Sequence, residues 1–137
     1  HRFYIFFVTI FFTILFIQSG VDKVINFNDN LLYFKDHFKN TFFRNRVRLL
    51  LIFITLIELL TGLICAHSFF DNLLKSNGVL IQLQGFFISQ VFVLFTIICL
   101  FFGQRVAKDY AGAVNLGIYF IIALLGLALP LFFVSFL

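Results

Sequence analysis

Four long apolar runs divide the chain. Residues 3–20 carry no charge, residues 49–70 carry only Glu58, and neither residues 79–102 nor residues 111–137 carry any. Runs of this length match the roughly 20 residues that a helix needs to cross a hydrocarbon layer about 30 Å thick. They do not alternate apolar and polar positions as barrel strands do, so the pattern predicts helices. The expected architecture is all-α: an integral membrane bundle of four transmembrane helices in one domain, residues 1–137, with spans at about 3–23, 49–70, 79–102 and 111–134. The first run ends in Gly20-Val21-Asp22-Lys23 without an Ala-x-Ala-like site and reads as a retained helix, not a leader. Pro130 lies late in the fourth run, where a kink or an end is expected.

Between the first two runs the period changes. Val24, Phe27, Leu31, Phe34, Phe38 and Phe42 recur at spacings of three and four, with Asn28, Asp29, Lys35, Asp36, His37, Lys39 and Asn40 between them. This is the pattern of an amphipathic helix over about 28–42, either lying in the membrane interface or docked on a partner.

Composition strengthens the membrane reading. The chain is 62% hydrophobic and 12% charged, against about 25% charged in a soluble domain, which leaves too little polar surface to face water. The basic residues are unevenly placed. Lys23, Lys35, Lys39, Arg44, Arg46, Arg48, Arg105 and Lys108 fall in the first and third connections, whereas Arg2 and Lys75 fall on the opposite side. Because cytoplasmic loops retain Lys and Arg, connections one and three are expected in the cytoplasm. The net charge of +4 is thereby accounted for by topology and lipid headgroups, and nucleic acid is not an expected partner.

One residue breaks the apolar pattern. Glu58 stands ten residues into the second span, roughly 15 Å deep at 1.5 Å per residue. A carboxylate at that depth has to be neutralised, paired or hydrated. Thr55, Thr61, Gly62 and Cys65 fall on the same helical face, so this stripe is expected to point into the bundle. Gln18, Gln90 and Tyr119 are the first-ranked hydrogen-bonding partners by depth, and Lys23 is the alternative, reaching inward to form a salt bridge.

The third connection holds the densest motif, Gly103-Gln104-Arg105-Val106-Ala107-Lys108-Asp109-Tyr110-Ala111-Gly112-Ala113. Asp109 is placed to cap the last helix, Tyr110 suits an aromatic belt, and Arg105 and Lys108 anchor this end. Ala113 and Gly117 form a small-xxx-small pair that predicts close helix packing. Cys65 and Cys99 differ in depth by more than a disulfide spans and read as packing residues. His1, His37 and His67 supply no haem ligand pair, and no metal site or phosphate-binding loop is seen.

The Gly-Val-Asp-Lys end of the first helix, the buried Glu58 followed by Gly62, and the GQRVAKDYAGA run together resemble the DoxX family of small four-helix bacterial membrane proteins. The resemblance implies a four-helix fold and a setting near membrane redox complexes, with Lys23, Glu58, Arg105, Lys108, Asp109 and Tyr110 at recurring family positions. It implies no covalently bound cofactor, and quinone as the ligand to consider. Three functions follow as expectations. The favoured one is a noncatalytic subunit or anchor of a redox-linked membrane assembly, with a membrane protein or a second copy as partner. The others are a quinone-interacting oxidoreductase subunit and a small proton-coupled transporter using Glu58. No catalytic residue is assigned.

Overall fold

The computed structural model describes the backbone of residues 2–74 and 78–135, and the side chains of residues 3–74 and 78–128. His1 and Lys75 lie outside the described residues. The described chain forms five helices: α1 (Arg2–Ile25), α2 (Phe27–His37), α3 (Val47–Leu74), α4 (Val79–Val106) and α5 (Tyr110–Ser135). Among them α1, α3, α4 and α5 are long and apolar enough to cross a membrane, the build of a multi-pass membrane protein.

The outward faces of these helices suit contact with lipid. Phe3, Phe7, Ile14, Leu56, Leu63, Leu80, Ile98, Val114 and Ile121 are all exposed on α1, α3, α4 and α5. An apolar surface this continuous is unfavourable in water. Inside, Phe12 and Phe16 stack with ring centroids 6.1 Å apart and pack with Cys65, Val93, Ile97 and Ala123. The core thus draws on all four long helices.

The tightest packing joins α1 to α3. A Cβ built on Gly20 would lie 2.6 Å from Leu59 Cδ2, and one built on Gly62 would lie 2.7 Å from Ile17 Cδ1 and 3.0 Å from the Ile17 backbone nitrogen. Each helix therefore offers a glycine to a branched side chain of the other, and the backbones approach more closely than larger residues permit. The sequence-based expectation placed the close contact at Ala113 and Gly117. Ala113 is buried, but nothing lies within 4 Å of a Cβ built on Gly117, so that pair makes no close crossing. Helix α4 packs against both α3 and α5. Thr61 and Thr96 share a 2.6 Å hydroxyl hydrogen bond that fixes the register of α3 on α4.

One expected boundary moves. The amphipathic segment predicted over 28–42 is helical only to His37. Beyond it the Thr41 hydroxyl donates to the Phe38 carbonyl (2.8 Å) and accepts from the Phe43 N–H (3.2 Å). Such local side-chain bonds compete with helix propagation. In the last run, α5 does not end at Pro130 but continues to Ser135. Helix α2 follows α1 after the single residue Asn26, whose side-chain amide donates to Asp22 Oδ1 at 2.8 Å. Its Phe27, Leu31 and Phe34 are half-buried and Phe38 is buried at its C-terminal end, whereas Val24 and Phe42 are exposed.

The glycine geometry ranks two substitutions. Side chain crowds both positions, but the opposing backbone nitrogen lies 3.0 Å from a Cβ on Gly62 and 3.3 Å from one on Gly20, so Gly62→Ala presses harder on main chain that cannot turn aside. Gly62→Ala is expected to destabilise the bundle by about 1–3 kcal/mol and Gly20→Ala by less. Denaturant unfolding in detergent, followed by circular dichroism, measures both.

Candidate functional site

Helical periodicity brings one polar stripe of α3 to the bundle interior. Thr55, Glu58, Thr61, Gly62 and Cys65 are all buried, and Glu58 is only 2% exposed. Its carboxylate meets the Lys23 ammonium, with Nζ 3.1 Å from Oε2. Lys23 lies near the end of α1 and also donates to the Ser19 hydroxyl at 2.7 Å, one turn earlier on the same helix. The long aliphatic stem lets the ammonium reach Glu58 from near the helix end, and the Lys23 side chain is 14% exposed. The result is a closed ion pair in which both charges are compensated.

The other residues considered as partners of Glu58 stand elsewhere. Gln18 is exposed, because it precedes Lys23 by five residues and points roughly 140° away from it at about 100° per residue. Gln90 is fully buried, but the Thr61–Thr96 bond sets an antiparallel register in which it is level with residue 67. That places it roughly 13 Å along the axis from Glu58 at 1.5 Å per residue. Its amide donates to Ser89 Oγ at 3.4 Å, and its Oε1, which has no hydrogen-bond partner among the described residues, lies 2.9 Å from the position a Cβ on Gly126 would take. Tyr119 is half-buried, with its ring centroid 6.2 Å from that of Phe11. The first-ranked hydrogen-bonded cluster is thus replaced by the ion pair with Lys23. Depth alone ranked these groups, whereas azimuth around each helix and the register between helices decide which of them meet.

The GQRVAKDYAGA run folds as a three-residue reversal between α4 and α5. Lys108 adopts φ 61°, its N–H donates to the Arg105 carbonyl (3.2 Å), and the Asp109 N–H donates to the Gln104 carbonyl (2.9 Å). This is a Schellman termination with lysine in the position that usually holds glycine. Asp109 then caps α5, its Oδ1 accepting the Gly112 N–H at 2.9 Å. Arg105 lies over the Tyr110 ring, 4.7 Å from its centroid, so these two motif residues bind each other across the turn.

A contact not anticipated from sequence ties this turn to α2. His37 Nε2 lies 2.7 Å from Gln104 Oε1 and 3.9 Å from Asp109 Oδ2. The two segments are 67 residues apart, and no local pattern links them. The periodic Phe face of α2 was the available signal, since it requires that helix to fold back on something apolar.

Cys65 and Cys99 are free thiols on different helices. His67 is exposed on α3, and no group of three or more His, Cys, Asp or Glu able to hold a metal ion occurs among the described residues. No protein-family model, curated protein or solved structure matches the chain.

Two expectations follow. Lys23→Met strands the Glu58 carboxylate in an apolar interior and should destabilise the bundle by about 3–5 kcal/mol, whereas Lys23→Met with Glu58→Leu should return stability to wild type or above. Chemical denaturation of the three proteins in one detergent tests this. Lys108→Gly relieves the left-handed backbone and should stabilise by roughly 0.5–1 kcal/mol, read as a raised Tm.

Proposed function

We propose that this chain is a noncatalytic integral membrane protein of DoxX type that serves as a subunit or anchor within a larger bacterial inner-membrane assembly. The observation that carries this reading is the closed Lys23–Glu58 pair. A transporter or a quinone site built on Glu58 needs that carboxylate to meet a proton path or a ligand. Here it is buried, and a cation from the neighbouring helix already occupies it. The pair fastens α1 to α3 where the two glycines bring them together. Buried ion pairs serve structural specificity better than net stability, which suits a bundle whose shape is its purpose.

The setting is argued from charge and from resemblance. Eight of the ten Lys and Arg residues lie on the side of the α1–α3 and α4–α5 connections, which favours placing that side in the cytoplasm. The DoxX-like placement of Lys23, Glu58, Arg105, Lys108, Asp109 and Tyr110 supports a redox-linked assembly as the context. The uncovered apolar faces of the long helices leave area for lipid and for a membrane protein partner.

Purification from native membranes in a mild detergent tests the proposal. The chain should migrate with a partner in fixed ratio, and the Lys23→Met/Glu58→Leu protein should keep that partner, because only fastening has been exchanged. Migration alone overturns the reading. So does a folded double variant that has lost the cellular phenotype of the wild type, since that outcome gives the carboxylate a chemical role.

A further inference from the structure

A cavity of about 760 Å³ opens between α2, α3, α4 and α5, next to the α4–α5 turn. Its apolar wall includes Phe34, Phe38, Phe53 and Ile98, and no Lys, Arg, Asp or Glu lines it. Phe53, Ile98 and Phe102 are also exposed on the outer faces of α3 and α4, so the cleft opens sideways, where those helices suit contact with lipid. Its size and lining are those of a site for a largely hydrophobic molecule oriented by a few polar groups. Neither Lys23 nor Glu58 lines it, so an occupant there does not depend on the ion pair.

The polar groups on the wall fall into two sets. His37 Nε2 and Gln104 Oε1 lie 2.7 Å apart and satisfy each other. The Tyr33 hydroxyl, the Asn115 amide and the Tyr119 hydroxyl also line the cleft, and none of the three makes a hydrogen bond to another described residue. Asn115 and Tyr119 share one face of α5 with Gly112 and Leu116. At 1.5 Å per residue Asn115 lies roughly 8 Å, and Tyr119 roughly 14 Å, beyond the start of α5. An amide and a phenol at such depth in an apolar span need a partner, and each has a proton to donate.

Charge is added at the rim. Lys35 follows the lining residue Phe34, Arg44 and Arg46 follow the lining residue Phe43, and Lys108 stands in the turn between Gln104 and Gly112. All four are exposed, and none has an ion-pair partner among the described residues. From the rim inward the groups thus run from cations to neutral donors, along a wall of aromatic and aliphatic side chains. A glycerophospholipid presents the matching order: a phosphate, then ester carbonyls that only accept, then hydrocarbon. A diacylglycerol lacks the charge, a fatty acid lacks the deeper acceptors, and an amine head is repelled at the rim.

We propose that this cleft is a binding site for one anionic glycerophospholipid. Its phosphate faces Lys35, Arg44, Arg46 and Lys108 and accepts from the Tyr33 hydroxyl. Its ester carbonyls accept from the Asn115 amide and the Tyr119 hydroxyl, and one acyl chain lies along Phe53 and Ile98.

The test uses the wild-type chain in dodecyl maltoside and a phosphatidylglycerol with a photoreactive group on one acyl chain. Labelling should saturate, should map to the peptides of α3, α4 and α5 that line the cleft, and should be displaced by dioleoylphosphatidylglycerol at least about tenfold better than by dioleoylphosphatidylcholine, dioleoylglycerol or oleate. About tenfold is the effect of one or two basic side chains beside an anionic headgroup. Arg44→Gln with Arg46→Gln should narrow the preference over phosphatidylcholine, as should salt at about 1 M, whereas Asn115→Leu should weaken both phospholipids by a similar factor. Equal displacement by phosphatidylcholine or dioleoylglycerol, stronger displacement by oleate or by a quinone, or labelling that never saturates overturns the proposal, the last by marking the cleft as ordinary lipid contact. The competition series requires no variant, so a variant that fails to fold leaves it decisive.

Discussion

The bundle depends on how closely α1 and α3 approach each other. Gly20 and Gly62 remove side-chain bulk at two points one above the other, and the facing Leu59 and Ile17 fill the space left. Between lipid-immersed helices there is no water to expel, so contact surface and polar pairing are the available sources of attraction. Close approach supplies the first and makes the second reachable, because the ammonium of Lys23 arrives at Glu58 only if the helices nearly touch. A larger residue at either glycine would both loosen the packing and lengthen the ion pair.

This explains why one buried carboxylate is tolerated at all. An isolated charge is expensive in an apolar interior, and Glu58 is tolerable because its cationic partner is brought to it at the same crossing. The Thr61–Thr96 bond does the corresponding work between α3 and α4. Polar side chains thus set position within the bundle, while the Phe-rich core supplies bulk contact.

Much of this was legible in the chain before any coordinates. Four uncharged runs mark the long helices, because hydrophobic length is a direct physical requirement of a bilayer. The inward orientation of Thr55, Glu58, Thr61, Gly62 and Cys65 follows from helical spacing within one element. What failed to follow was any relation between elements. Gln18 and Gln90 share a depth range with Glu58 but differ from it in azimuth or register, and neither quantity is written in a single helix. Thr41 ended α2 earlier than the Phe spacing implied, because a local hydroxyl bond overrides a hydrophobic period. The link from His37 to Gln104 is invisible in sequence for the same reason that it matters: it joins parts of the chain that are far apart.

The Ala107–Asp109 reversal carries a mechanical implication. One residue, Asp109, closes α4 through its backbone and starts α5 through its carboxylate, so the two helices have no slack between them. Sliding α4 along its axis drags α5 with it, and His37 gripping Gln104 extends that linkage to α2. By contrast, α1 and α3 are connected through α2 and several turns and hold together by surface fit and the Lys23–Glu58 ion pair. Force applied to this molecule therefore finds one pair of helices tied by a short turn and one tied by side-chain contact.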